Sequence, residues 1–159
     1  AYSYKHYKTW SDKLDKDYQD FGLVGENLTI DDFNEKQINI GDELQIGNCI
    51  FQVSQPRIPC FKIGIKMNSR EFPKMFSQSC LLGAYLRVIK DGTISTNDEI
   101  IISKKEPNSL SIYQIAELIF KDINNIDKMK HALDLKYLTE EIKERFRERL
   151  MKLGDFGSL

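Results

Sequence analysis

The sequence predicts a mainly β protein with helices, of the α+β class, in which a β-barrel or sandwich is followed by a small three-helix appendage. Short alternating runs separated by turn signals occur before residue 105, at about the 8–12-residue spacing typical of such folds. Residues 106–159 instead repeat apolar side chains at helical spacing. With 41% hydrophobic and 11% aromatic residues the chain can bury a core, which excludes a disordered protein.

Charge and cysteine content narrow the class of protein further. The formal net charge is −1, which disfavours a general nucleic-acid binder. No apolar run approaches the roughly 20 residues that span a membrane, so we expect neither nucleic acid nor membrane as a partner. The cysteines Cys49, Cys60 and Cys80 are an odd number at unpatterned spacing. This favours a reducing, cytoplasmic location over a disulfide scaffold.

The first element predicted is an amphipathic helix over residues 3–18, whose aromatic stripe faces the core. His6 lies off this stripe, and we expect it to be solvated. The sequence opens without Met or any targeting signal, and we expect it to be the later part of a longer protein. The stripe comprises Tyr4, Tyr7, Trp10, Leu14 and Tyr18.

The strands follow after a short extended stretch over residues 23–29. Residues 43–46 and 49–53 flank Gly47-Asn48, a pair suited to a two-residue hairpin turn. Alternation places Cys49 on the apolar face of its strand, so we expect this thiol to be buried. Further on, residues 84–90 and 99–103 read as strands, and Asp91-Gly92 predicts a second hairpin between them.

A stiff segment ends the second strand. Pro56 and Pro59 remove two backbone donors and fix φ at both positions, so the ladder must end here and Cys60 follows a rigid loop. We expect an irregular stretch from there to Cys80, which has no chemical context and remains a core candidate.

Three capped helices are predicted at the end of the sequence. Ser111 with Gln114 forms a capping-box pattern, Asn125 can cap residues 126–135, and Thr139 can cap residues 140–153. Residues 154–159 read as a frayed tail. We therefore divide the chain into a β-barrel domain over residues 1–105 and a three-helix module over residues 106–159. The apolar stripes of the helices could dock on the barrel, on a second copy as a homodimer, or on a donor protein.

Charge is unevenly distributed along the strand-rich part. Residues 11–49 carry ten acids and three lysines, whereas residues 50–90 carry seven bases and one acid. The basic segment brackets Cys60, where positive potential would attract an anionic ligand and favour an ionised thiol. The alternative is a solvated surface whose charges fold back against the acidic half.

Several short motifs in this part resemble one family. They are Phe21-Gly22, Gly25-Glu26-Asn27-Leu28-Thr29, Ile40-Gly41-Asp42, Ile46-Gly47, Ser54-Gln55-Pro56-Arg57-Ile58-Pro59-Cys60 and Gly83-Ala84-Tyr85-Leu86-Arg87-Val88. With these motifs the chain resembles the MOSC family, named for the C-terminal domain of molybdenum-cofactor sulfurase, and within it the YiiM-like branch. The aromatic helix and the three final helices resemble that branch as well. Family members normally begin with further strands and a His-Gly-Gly loop that this sequence does not contain.

The resemblance implies a MOSC-type β-barrel that binds the molybdenum cofactor (molybdopterin), with no pyridoxal phosphate. By position Cys60 would be the catalytic residue and the single protein ligand of molybdenum, a soft metal site that suits a thiolate. Asn27 matches a family position whose amide touches the cofactor. Glu26 could contact the cofactor, orient a neighbour or cap a turn. The candidates for anion contacts are Arg57, Lys62 and Arg87, the last two being equally suited to surface salt bridges.

The implied activity is that of a molybdenum-dependent oxidoreductase. It would reduce small N-hydroxylated compounds, such as hydroxylamino-purines and amidoxime-like substrates. The sequence carries neither a Rossmann glycine pattern nor an iron–sulfur cysteine run, so electrons would come from a separate flavoprotein or iron–sulfur protein. The alternatives are a sulfur-carrier module in which Cys60 bears a persulfide, a cofactor-storage protein without turnover, and a plain structural domain.

Overall fold

The computed structural model describes residues 1–18 and 20–155, which form a mixed α+β fold. The predicted fold class is thereby confirmed. Gln19 and residues 156–159, the end of the expected frayed tail, lie outside the described residues. The elements in chain order are β1 (Tyr2–Ser3), α1 (Lys5–Leu14), β2 (Thr29–Ile30), β3 (Glu43–Ile46), β4 (Cys49–Pro56), α2 (Phe61–Lys66), α3 (Phe72–Ser79), β5 (Ala84–Lys90), β6 (Ile100–Lys104), α4 (Ile112–Phe120), α5 (Ile126–Asp134) and α6 (Glu140–Lys152).

An antiparallel four-stranded sheet in the order β5-β4-β3-β6 carries most of the β structure. The predicted β3–β4 hairpin is confirmed, with Ile46 opposite Cys49 across the turn. Gly47 adopts φ 54° in that turn, a conformation that glycine reaches without steric penalty. β1 and β2 form a separate parallel pair that ties the start of the described chain to the loop after α1.

The predicted hairpin between β5 and β6 is wrong. β5 pairs with β4 and β6 with β3, so the two strands lie at opposite edges of the sheet. The segment between them crosses the β3–β4 turn, where Asn48 N–H donates to the Thr93 carbonyl at 3.2 Å. Gly92 permits this crossing because a Cβ there would lie 3.0 Å from the Asn48 carbonyl carbon. The Asp91-Gly92 signal therefore marks a crossing and not a tight hairpin.

The stretch between Cys60 and Cys80, expected to be irregular, contains the short helices α2 and α3. α2 buries Ile63, with Met67 buried directly after the helix, and α3 buries Phe72 and Phe76 along one face. These helices are six and eight residues long, too short for a sustained periodic pattern. Tertiary burial stabilises them more than intrinsic propensity does.

The first helix begins later than predicted, because Tyr2–Ser3 form a strand. Tyr7 and Trp10 are buried, as the stripe predicts, but Tyr4 at the helix start is 41% exposed and lies outside the core. A ring packing of Trp10 against Phe72, with centroids 5.0 Å apart, joins this helix to α3.

The three final helices form where predicted. Ser111 and Gln114 make the complete capping box of α4. Asn125 accepts a hydrogen bond from Lys128 N–H at 3.0 Å at the start of α5. Thr139 precedes α6 but makes no capping bond, because its hydroxyl instead donates to Gln55 Oε1 on β4.

One hydrophobic cluster joins the sheet to these helices. Leu44 and Val53 on the sheet belong to the same buried cluster as Ile112, Ile115 and Phe146. The division of the chain at residue 105 remains a prediction, but its two parts share this core. Within the described part of the chain, no helix combines the length and apolar character needed to cross a membrane.

Candidate functional site

The site forms around the chain that leaves β4. Pro56 is the last residue of the strand, and Arg57 N–H donates to the Gly83 carbonyl at 3.3 Å, which fixes the exit. Cys60 follows in an extended conformation (φ −118°, ψ 167°), and its carbonyl accepts from Ile63 N–H at 3.1 Å as α2 begins. Its side chain is exposed, whereas the other two cysteines, Cys49 and Cys80, are buried as expected. Cys60 is therefore the one cysteine that a ligand can reach from solvent.

Arg57 connects this segment to the Gly25–Thr29 motif. Its Nη2 lies 3.7 Å from the position of a Cβ on Gly25, which itself adopts φ 84°. The Nη1 atom is buried and has no hydrogen-bond partner among the described residues. An unused buried guanidinium donor is energetically costly, and an anionic group placed there would satisfy it.

Glu26 stabilises the motif through both carboxylate oxygens. Tyr7 Oη–H donates to Glu26 Oε1, and Val24 N–H donates to Oε2 at 3.0 Å. Thr29 Oγ1 also donates to Oε1, at 3.3 Å, while Leu23 N–H donates to the Tyr7 hydroxyl at 3.0 Å. Of the roles considered for Glu26, this geometry matches the orientation of neighbours, and its contact with a cofactor remains a prediction.

The remaining predicted residues differ in their surroundings. Asn27, next to Glu26 in the chain, is exposed, and so is Lys62 on α2. Arg87 lies on β5 and donates to Gln52 Oε1 at 3.2 Å, four residues before Pro56 on β4. Four strand residues span about 13 Å, so Arg87 lies well along the sheet from the end of β4. Its role as an anion contact stays a prediction.

No salt bridge links the acidic segment to the basic segment among the described residues. The buried or partly buried acids Asp42 and Glu43 pair with Lys105 and Lys104 of the strand β6 region. Among the described residues, none of the bases between residues 50 and 90 lies in a salt bridge. The cations around Cys60 therefore have no close carboxylate partner among the described residues. A positive surface there stays a prediction, beside its alternative of a solvated surface whose charges fold back against the acidic half.

A buried hydrogen-bonded pair, His6 with Glu35, was not expected from the sequence. His6 Nε2 lies 2.9 and 3.0 Å from the two oxygens of Glu35, whose side chain is 2% exposed. Gly83 N–H donates to Glu35 Oε1 at 3.1 Å. The expectation of a solvated His6 is wrong, because α1 turns this ring inward over the buried carboxylate. In the sequence, the one local indication of a buried carboxylate was the position of Glu35 between the apolar residues Phe33 and Ile38, both of which are buried.

Two open clefts stand out on the described surface, and neither is lined by Cys60. One, of about 320 Å³, lies between residues 106–109 and the α5–α6 connection. The other, of about 770 Å³, lies beside α1 and includes Tyr4, Tyr7 and Tyr18. No group of three or more His, Cys, Asp or Glu side chains able to hold a metal occurs within residues 1–18 and 20–155.

Sequence comparison establishes the class. The model of the MOSC domain family matches residues 1–101, and the chain therefore belongs to this family. Its relatives include the uncharacterized protein YflK of Bacillus subtilis (strain 168), 26% identical over 153 residues, which cover 96% of this chain and 69% of YflK. Protein YiiM of Escherichia coli (strain K12) is 29% identical over 98 residues, 60% of this chain and 44% of that protein.

A protein of Gibberella moniliformis (strain M3125 / FGSC 7600) named "Reductase" is 28% identical over 121 residues, 74% of this chain and 22% of that protein. Among solved structures, YiiM from Geobacillus stearothermophilus superposes with a TM-score of 0.89 at 29% identity, covering 94% of this chain and 76% of that one. YiiM from Escherichia coli superposes with a TM-score of 0.82 at 20% identity, over 95% and 76% of the two chains, which supports the fold alone. The resemblance to the YiiM-like branch is confirmed.

Proposed function

We propose that this chain binds the molybdenum cofactor through the Cys60 thiolate and reduces small N-hydroxylated compounds, with hydroxylamino-purines and amidoxime-like molecules as the substrate class. One observation carries the proposal: the exposed cysteine follows a segment whose Arg57 retains an unused buried donor. Membership of the MOSC family and a relative named "Reductase" support it.

The donor set of the chain suits this cofactor. A thiolate is a soft, strongly donating ligand, and the extended backbone at Cys60 presents it to solvent. The unpartnered Nη1 of Arg57 would donate to an anionic oxygen of the pterin. The exposed Asn27 amide offers both a donor and an acceptor for a pterin edge. Lys62, exposed on α2, would add positive potential, and Arg87 is the more distant candidate.

Glu26 acts as a positioning residue in this scheme. Its carboxylate is held by Tyr7, Val24 and Thr29, which sets the conformation of the loop that carries Asn27. Gly25 of that loop lies next to Arg57, whose Nη2 is 3.7 Å from the position of a Cβ on this glycine. The loop and the Cys60 segment would therefore bind one ligand together.

The overall reaction is R–NHOH + 2e⁻ + 2H⁺ → R–NH₂ + H₂O. When bound, the cofactor supplies the two-electron chemistry that removes the oxygen, while the protein supplies binding, orientation and electrostatics. The two electrons would come from a separate flavoprotein or iron–sulfur protein. A cytoplasmic location and a homodimer belong to the same proposal.

Replacement of Cys60 by Ser tests the metal ligand. The protein is made in a host that synthesises the cofactor, and metal content is measured by elemental analysis together with oxidation of the pterin. We expect one molybdenum per chain in the native protein and in the Cys49→Ala control, and none in Cys60→Ser. Because Cys60 is exposed, the thermal unfolding midpoint should stay unchanged. Molybdenum retention or full activity in Cys60→Ser would defeat the ligand assignment.

The accessibility of Cys60 also suits a second function, in which its persulfide delivers sulfur to a metallocofactor. That function predicts a labile sulfane sulfur, released by cyanide, without molybdenum. Reduction of a hydroxylamino-purine with reduced methyl viologen separates both the carrier and a storage protein from the enzyme. Turnover in the native protein, absent in Cys60→Ser, supports the reductase.

A further inference from the structure

The solvent side of α2 carries large apolar side chains directly after Cys60. Phe61 and Ile65 lie one helical turn apart, and each is 72% exposed. Phe21 is 75% exposed on the adjoining loop, which Lys66 holds by donating to the Gly22 carbonyl. Phe61 and Ile65 are neighbours on the helix surface, and contiguous exposed apolar side chains of this kind indicate an interaction site.

Cations accompany these apolar residues along the chain. Residues 57–74 hold five bases and one carboxylate, Glu71. Lys66, Arg70 and Lys74 are exposed, and none forms a salt bridge within the described part of the chain. These three charges are therefore available to bind an acidic partner.

α2, α3 and the turn between them carry these groups, and the contact of Lys66 with the Gly22 carbonyl brings in the loop of Phe21. The helices touch at Gly64, where a Cβ would lie 3.1 Å from Pro73 Cγ, and this contact holds Lys74 close to α2. We refer to the surface as the α2–α3 face; it comprises Phe21, Phe61, Ile65, Lys66, Arg70 and Lys74.

We propose that the α2–α3 face is the docking surface for an acidic electron-donor protein, of which a plant-type [2Fe–2S] ferredoxin is the probe. The inference rests on the proposed function and names the partner of the same site. The argument for an acidic partner is charge complementarity: the face carries exposed cations without a salt bridge among the described residues, together with exposed apolar side chains, and opposite charge would steer an acidic partner to it. Weak redox complexes are typically small, below about 1,200 Å², which suits a face built on two short helices.

The position of the face favours an electron donor. Cys60 begins α2, so a protein seated on Phe61 and Ile65 lies against the segment that would hold the metal. A [2Fe–2S] protein passes one electron at a time, so each turnover requires two reduced donors, which leave oxidised. The substrate N–O bond breaks, and the two protons that complete the amine and water come from solvent.

Two double variants test the face without touching the proposed cofactor ligands. Arg70→Glu/Lys74→Glu reverses its charge, and Phe61→Ser/Ile65→Ser removes its apolar centre. Lys121→Glu/Arg145→Glu, on the exposed ends and sides of α4 and α6, is the control with the same change in net charge. Reduction of a hydroxylamino-purine is followed with reduced ferredoxin and, separately, with reduced methyl viologen, which needs no docking surface.

We expect the KM for ferredoxin to rise at least about tenfold at low salt in the charge-reversal variant, and this difference to shrink as ionic strength increases. The apolar variant should raise the same KM at all salt concentrations. The control should resemble the native protein, and viologen-driven turnover should not fall in any variant. Unchanged ferredoxin kinetics alongside normal viologen turnover would overturn the docking surface and leave the proposed function intact.

A binding measurement decides the inference where no turnover occurs. Absence of viologen turnover in the native protein defeats the proposed function; titration calorimetry with ferredoxin then supports the face if binding is lost in both variants and retained in the control. No binding of ferredoxin to the native protein overturns the inference. Cosedimentation of the native protein with phosphatidylserine vesicles, without binding of ferredoxin, would also overturn the inference, because it would assign the face to a membrane surface. A raised KM for the hydroxylamino-purine with viologen in Phe61→Ser/Ile65→Ser would assign the apolar centre to the substrate and overturn it as well.

Discussion

The Tyr7 hydroxyl is the sharpest place to test how the candidate site is supported. Replacement of Tyr7 by Phe keeps the buried ring and removes one oxygen. That oxygen donates to Glu26 and accepts from the buried Leu23 N–H at 3.0 Å. Burial raises the pKa of Tyr7, so the phenol stays protonated at neutral pH and acts as the donor to the carboxylate.

The magnitude follows from the two groups that lose a partner. A hydrogen bond to a charged group contributes about 1.5–3 kcal/mol, and a buried N–H left unsatisfied costs about 1–3 kcal/mol. Water will recover part of the loss at Glu26, which is only partly buried. We therefore expect Tyr7→Phe to lower the free energy of unfolding by about 2–4 kcal/mol, which lowers the unfolding midpoint of a chain of this size by about 4–15 °C.

Urea titration monitored by circular dichroism measures this loss, and Tyr4→Phe is the matched control. Tyr4 is 41% exposed, and its hydroxyl bonds to no other described residue, so its replacement should change the free energy by less than about 0.5 kcal/mol. Under the proposed function, Tyr7→Phe should also retain less molybdenum than the native protein, because Glu26 loses the contact that fixes its loop. Equal stability of the two variants would refute the view that Tyr7 holds Glu26 in place.

The remaining predictions concern buried and exposed ionisable groups. Glu35→Ala removes the hydrogen-bond partner of His6 and of the Gly83 N–H, and it should lower the free energy of unfolding by about 2–4 kcal/mol. Asp32→Ala breaks an exposed salt bridge and should lower this free energy by less than about 1 kcal/mol. Equal losses in urea titrations of the two variants would contradict a structural role for the buried Glu35 carboxylate. In the native protein, Ellman's reagent should label Cys60 rapidly and reach Cys49 and Cys80 only on unfolding, and mass spectrometry of the labelled peptides would expose a wrong assignment. Burial raises the pKa of the Cys80 thiol above its ordinary 9.0, so the stability gained by keeping it protonated is fully present below about pH 9 and is lost as the pH rises through the raised value. As the pH rises above about 9, the free energy of unfolding of Cys80→Ala should therefore fall less than that of the native protein. Parallel plots of this free energy against pH for the two proteins would argue against the prediction.

Features that depend on neighbouring residues could be predicted from the sequence. The Gly47-Asn48 hairpin and the capping box at Ser111 form from contacts within a few residues, and both occur as expected. The end of the ladder before Cys60 follows from the same kind of local signal, since Pro56 is the last residue of β4. A motif of seven residues was enough to place the candidate ligand on a loop.

Features that depend on distant contacts could not be predicted. Asp91-Gly92 has the composition of a hairpin turn, but pairing of the strands with β3 and β4 sends the chain across the sheet. The inward position of His6 requires the buried Glu35, 29 residues away. Thr139 has the residue type of a helix cap and instead donates to Gln55, 84 residues earlier. In each case a tertiary partner outcompeted the local preference.

The cluster shared by sheet and helices has a consequence for the strand that leads to Cys60. Val53 on β4 is sealed from water by a layer to which Ile112 and Ile115 contribute. Deleting the last third of the chain would expose the apolar face of β4 to water. It would also remove the hydrogen bond from Thr139 to Gln55 near the end of this strand. The terminal helices thus support the strand that leads to Cys60, although none of their side chains is proposed to contact the ligand.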